Sequence, residues 1–213
     1  MFVLFATSAS GAPKLVSERI TDANFATHHV GGPDADGGVG DWFLSNGTLC
    51  AVVSDPEHES QITPRGGVLI DLGHCGANDD QWNVMQPMLN LSQSELVPVD
   101  SVEGGADAKR AWVRTRAVFN GVEIVTTYAL DHDHPKTMDV RTRARRIEPG
   151  DALFSIGQLL LHTDAQTPVF TLDRRIPEAS VGFVYPETDR RSLMSLVAAI
   201  MPEASLYSAL SFR

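Results

Sequence analysis

The chain has 213 residues, a formal net charge of -10 and a sequence pI near 5.0. That acidity excludes a general nucleic-acid binder, whose affinity rests on neutralising phosphates. A hydrophobic share of 43% excludes a disordered chain and suffices for one substantial core, while no uninterrupted apolar run has the length of a membrane span.

Residues 2–10, FVLFATSAS, are an apolar stub followed by small residues, the order found in the back half of a secretory signal. The competing reading is an ordinary N-terminal strand; the small residues favour the signal. Residues 1–13 are therefore expected to be a signal remnant or a disordered N-terminus. Residues 14–213 are expected to form one β-sandwich domain, exported to the periplasm or the extracellular space. Export would let Cys50 and Cys75, the two cysteines, form a disulfide; in a reducing compartment they would be buried thiols.

Residues 28–41 read HHVGGPDADGGVGD. Its glycines allow tight bends, and His28, His29, Asp34, Asp36 and Asp41 are candidates to converge on a divalent cation, with Asp34 and Asp36 as the anchors. The closing glutamate of a calcium loop is missing, so a structured turn with solvated carboxylates stands beside the metal reading. Asn46-Gly47 predicts a two-residue hairpin turn that pairs Leu44 with Leu49 and Trp42 with Ala51. Both faces of this hairpin are apolar, which predicts a central position covered on each side. Asp55-Pro56-Glu57-His58-Glu59 reads as an exposed loop, against a competing reading in which Glu57, His58 and Glu59 supply an acid and a base, and GGVLIDL (66–72) as a short strand. The segment 73–82, GHCGANDDQW, sets an indole beside carboxylates, an amide and an imidazole. Sugar-binding grooves use that mixture: a flat apolar face for the ring and polar groups for the hydroxyls. His74, Asp80 and Trp82 are the candidate ligand-binding residues; a core Trp82 is the equally weighted alternative.

Asn120-Gly121 predicts a second hairpin, pairing Phe119 with Val122, Ala117 with Ile124, Thr115 with Thr126 and Val113 with Tyr128, all on one face. Arg114, Arg116 and Glu123 fall on the other. Asp131-His132-Asp133-His134-Pro135 is expected to be a solvated turn. Residues 138–145 alternate Met138, Val140, Thr142 and Ala144 against Asp139, Arg141, Arg143 and Arg145, a half-buried strand with a basic outer face. After a turn at Glu148-Pro149-Gly150-Asp151, residues 152–162 read as a more deeply buried strand. Leu193, Leu196, Val197 and Ile200 follow helical spacing between a capping Asp189 and Pro202, predicting one short C-terminal helix. Residues 205–213 read as a strand with no polar terminal segment after it, which suggests a fragment of a longer chain.

GDWFLSNGTLCAVVSD (40–55) followed by GGVLIDLG (66–73) resembles the opening of a β-sandwich region of exported bacterial proteins. That region precedes PHP-type metallohydrolase domains in carbaryl-hydrolase-like proteins. NGVEIVTTYALD (120–131) and TMDVRTRARRI (137–147) resemble strand pairs of galactose-mutarotase-like supersandwiches. The resemblance spans roughly residues 38–165 and implies an antiparallel supersandwich of carbohydrate-related ancestry, incomplete here. Neither the mutarotase catalytic residues nor the PHP metal motif has a counterpart, so no catalytic residue is carried over. The expected function is a noncatalytic carbohydrate-related module with a carbohydrate ligand and a downstream catalytic domain as partners. Two other readings compete with it: a sugar-active enzyme using His74 with Asp79 or Asp80, and a metal-dependent hydrolase using His28, His29 and the following aspartates.

Overall fold

A computed structural model describes residues 14–58, 63, 65–80, 82–90, 96–149 and 154–162, together with short strands at 169–171, 175–176, 196–201 and 206–211. The protein is mainly β, and its centre is an antiparallel β-sandwich. The strands of the first sheet are β1 (Val16–Arg19), β2 (Trp42–Ser45), β3 (Leu49–Val53), β4 (Leu69–His74), β5 (Trp82–Leu89) and β10 (Ile156–His162), in the order β1-β2-β3-β4-β5-β10. The second is a four-stranded meander of β6 (Ser101–Ala106), β7 (Arg110–Phe119), β8 (Val122–Asp131) and β9 (Met138–Arg146).

The inner faces interlock as alternation requires. Leu44, Leu49, Ala51, Val53, Leu69, Trp82 and Met85 from the first sheet meet Ala111, Val113, Tyr128 and Leu130 from the second. Leu89 extends this core toward Ala117, Val122 and Ile124. Gly104 faces inward against the Trp42 ring, where a Cβ would come within 2.5 Å of it; only glycine lets the sheets close there.

The β7–β8 hairpin has the expected register, Phe119 opposite Val122 through Val113 opposite Tyr128. Asn120 and Gly121 carry φ of 49° and 72°, as a type I′ turn demands. The β2–β3 hairpin departs from expectation by two residues: Leu44 pairs with Ala51 and Trp42 with Val53. Asn46 is not a central turn residue. Its Oδ1 accepts from the Thr48 and Leu49 N–H groups, at 3.0 and 2.8 Å, while its Nδ2 donates to the Asp131 and Pro135 carbonyls. The side chain thereby closes the turn one position later. A two-residue slip preserves the faces, so Phe43 and Cys50 still point outward together.

Strand β9 is half-buried with exposed Arg141, Arg143 and Arg145, as expected. Residues 156–159 of β10 are half-buried rather than deeply so, because β10 lies at the edge of its sheet beside β5. The segment expected to be helical is described only in part. Leu196–Met201 is strand β13, paired with β14 (Leu206–Ser211) in a separate sheet with β11 (Val169–Thr171) and β12 (Arg175–Ile176). LVAAIM is apolar throughout, and such a run satisfies helical and strand spacing alike; Asp189, Leu193 and Pro202 lie outside the described residues, as do residues 1–13 and the turn residues Gly150 and Asp151.

Candidate functional site

The outer face of the first sheet is roofed by the chain itself. Phe43, Cys50, Val52, Ile70 and Val84 form a second apolar cluster there with Ile20 and Val30 from the segment between β1 and β2. Cys50 and Cys75 are joined in a disulfide with Cα atoms 5.0 Å apart, within bridging distance. The glycine-rich loop then crosses over β4 and is held by buried carboxylates. Asp71 points outward from β4 and accepts from the backbone N–H of Asp36 and of Gly37, at 2.9 and 3.0 Å. A Cβ on Gly37 would meet Asp71 Oδ2 at 2.5 Å, so the close approach requires glycine. Asp41 accepts from the N–H groups of Gly38 and Asp55 and from His58 Nδ1. His58 Nε2 faces Asp36 at 3.5 Å.

The two loops flagged by the sequence converge. The Asp80 N–H donates to the Gly31 carbonyl, and the Asp34 N–H reaches the Asp80 carbonyl. Beside this junction lies a recess of about 280 Å³ lined by Asp34, Asp36 and Asn83 over Pro33, Ile70 and Val84, with Ala35 at its side. Two β-bulges shape it. Ile70 is the extra residue in β4, between the Val52–Asp71 and Val53–Leu69 pairs, and Asn83 the extra residue in β5, between Trp82 and Val84. Bulges re-aim side chains in this way, and here both aim into the recess.

The buried acids titrate far from their ordinary range. Burial pushes Asp71 up to about 7, against the two N–H donors that favour its charge. Burial likewise raises Asp80 to about 6, with the Asp34 and Asp79 charges adding to the effect. His58 is raised to about 9, first by its hydrogen bond to Asp41 and against its own burial.

The expected site residues divide. Asp34 and Asp36 line the recess. Asp80 is fully buried; its Oδ1 accepts from the Leu72 and Trp82 N–H groups, both at 3.0 Å, and ties β4 to β5. Trp82, taken as a candidate stacking face, is 3% exposed in the inner core, so its ring offers no face to a ligand. His74 lies outside the recess, half-buried, with Nδ1 2.6 Å from Asp79 Oδ2. His28 is engaged by Glu18 and Phe43, and His29 by the Phe25 carbonyl. Among the described residues, no three His, Cys, Asp or Glu side chains gather where a metal ion could be held.

Sequence reasoning missed Asp71 and set His58 on an exposed loop, whereas it is half-buried against Asp41. An aspartate inside the apolar run GVLIDL was the available signal for Asp71, since an acid on a covered strand must find donors. His58 stood out only as a loop residue between two glutamates, because its partners Asp36 and Asp41 belong to another loop. Comparison with family models, curated proteins and solved structures finds no match to this chain.

Proposed function

We propose that this chain is a noncatalytic carbohydrate-related β-sandwich module of an exported protein, and that it takes a small polyhydroxy ligand in the recess beneath the 31–41 loop. The observation that carries this reading is the recess itself, where two carboxylates and an amide stand over the apolar surface of Ile70, Val84 and Pro33. Carboxylates and amides accept and donate to hydroxyls while the apolar floor takes the C–H face of a ring. The Cys50–Cys75 disulfide supports export. A mutarotase-like ancestry and a neighbouring catalytic domain belong to the same reading, through the resemblance of residues 40–55 and 120–147.

A glycan array probed with the full chain tests it. Retained mono- or disaccharides whose binding falls about tenfold in Asp34→Asn/Asp36→Asn, the loss of charge-assisted contacts, support the proposal. An array without hits, or undiminished binding by the folded variant, rejects it.

The His74–Asp79 hydrogen bond favours a second reading, a sugar-active enzyme, because an acid that orients an imidazole is the usual arrangement of a general base. Polarimetry of aldose anomers decides between the two: turnover abolished by His74→Ala establishes the enzyme, and binding without turnover the module.

A further inference from the structure

Among the described residues, nothing covers the outer face of the β6–β9 sheet, unlike that of its partner, and it is unusual in charge. On a chain of net charge -10 it displays six exposed arginines: Arg110, Arg114 and Arg116 on β7, and Arg141, Arg143 and Arg145 on β9. Cross-strand register sets them in rows. Arg114 and Arg141 flank Thr127, and Arg116 and Arg143 flank Val125. Glu103, Glu123 and Asp139 share the face; Glu123 accepts from Arg116 at 2.9 Å and from Arg145 at 2.8 Å, Glu103 from Arg114 and Asp139 from Arg141. Arg143 has no ion pair among the described residues.

The next row adds an aromatic surface. Trp112 is half-buried on this outer face, opposite Gly105 of β6 and Ala129 of β8. A Cβ on Gly105 would lie 3.1 Å from the indole, so the ring lies close against the sheet at this glycine. The Arg114 guanidinium sits 5.0 Å from the centre of that ring, a cation–π contact.

Charge used only to keep a sheet from aggregating belongs on its edge strand. Here arginines also occupy the interior strand β7 and surround an aromatic ring. We propose that this face is a docking surface for an anionic polysaccharide, a chain of uronic acid sugars that lays one ring on Trp112 and its carboxylates on Arg114, Arg116, Arg141, Arg143 and Arg145. Interleaved glutamates and an aspartate suit a ligand that offers hydroxyls between its charges; they disfavour a nucleic acid, whose phosphates are densely spaced. The surface lies on the opposite side of the sandwich from the recess and does not depend on the reading given to it.

The test is titration of the full chain with polygalacturonate, beside an uncharged galactan and a single-stranded oligothymidine at equal salt. The expected result is binding of polygalacturonate alone, weakened by added salt. Arg141→Glu/Arg143→Glu then loses on the order of tenfold or more in affinity, Trp112→Ala loses about tenfold, and Lys14→Glu, off this face, binds as the parent does. Should the double variant fail to fold, the unpaired and exposed Arg143→Ser carries the test, with a several-fold loss expected. No binding of polygalacturonate, equal binding of oligothymidine, or full affinity in the folded arginine variants overturns the proposal.

Discussion

The two sheets share one core and treat their outer faces in opposite ways. On the first sheet the outward residues of β2–β5 include Phe43, Cys50, Val52, Ile70 and Val84 beside Asp71 and Asn83, and the chain folds back over them. On the second they include a half-buried Trp112 and six exposed arginines, interleaved with Glu103, Glu123, Val125 and Asp139. A covered face has to pair most of the polar groups it holds, which is why Asp41, Asp71 and Asp80 each take backbone N–H donors. An open face satisfies its charges with water and with one another, so its ion pairs contribute little to stability. The recess belongs to the first kind of surface and the arginine face to the second.

The contrast predicts unequal costs for similar substitutions. Phe43→Ala, on the covered face, is expected to destabilise by about 3–5 kcal/mol, the usual cost of deleting a buried ring. Val125→Ala, outward from the matching position of the open sheet, is expected to cost within about 0.5 kcal/mol. Urea unfolding of both variants measures the difference; equal costs would mean that the 20–41 segment does not cover the first sheet in solution. Trp82→Ala belongs with Phe43→Ala in magnitude, about 3–5 kcal/mol, because its ring is core.

The disulfide comes next in size. Cys50 and Cys75 are 25 residues apart, and the chain-entropy relation assigns a loop of that length about 3 kcal/mol. Cys75 packs against the covered cluster beside Cys50, so reduction loosens the roof on one side. Denaturant midpoints with and without reductant report the loss; unchanged midpoints, or two reactive thiols in the oxidised unfolded chain, would show that the bond does not form.

Much of the architecture was legible because strand alternation is a local property. The β7–β8 register follows from an Asn-Gly turn and eight inward side chains, each at its own position. The β2–β3 register was misplaced because Asn46 acts through its side chain, whose acceptors and donors lie on neighbouring and distant backbone. LVAAIM was taken for helix because a uniformly apolar run carries no period. At the site, Asp34 and Asp36 stood out as a local cluster suited to a cation, and they line the recess instead; the meeting of the 28–41 and 74–82 segments was not decided by the sequence, because it rests on backbone contacts between them. Asp71 and the partners of His58 escaped notice because what defines them is contact between segments distant in the chain. Trp82 and Trp112 show the same limit: both sit on strands, and only the sheet they belong to decides which one faces solvent.

The finest distinction between the two faces is their response to pH, where a single proton changes stability by at most about 1.4 kcal/mol per pH unit. Asp71 moves from 3.8 to about 7 on folding and Asp80 from 3.8 to about 6. Between pH 4 and 7 the folded state therefore holds protons that the unfolded state has released. Stability is greatest below the unfolded values and falls as pH rises through the folded ones. His58, raised from 6.5 to about 9, acts in the same direction over the next interval: its contribution is complete below 6.5 and lost as pH climbs through 9. The open face works in the opposite sense. Hydrogen bonds from Arg145 and Arg116 hold the Glu123 carboxyl below its ordinary range, so its contribution exists above that range and disappears in acid. Urea unfolding from pH 3 to 10 is thus expected to show stability declining from mildly acidic to alkaline pH. Asp71→Asn flattens the decline below about 7, and His58→Gln flattens it above 6.5. Wild-type stability that rises between pH 4 and 7, or an Asp71→Asn profile parallel to the wild type, would mean that Asp71 is not the buried anchor of the glycine-rich loop.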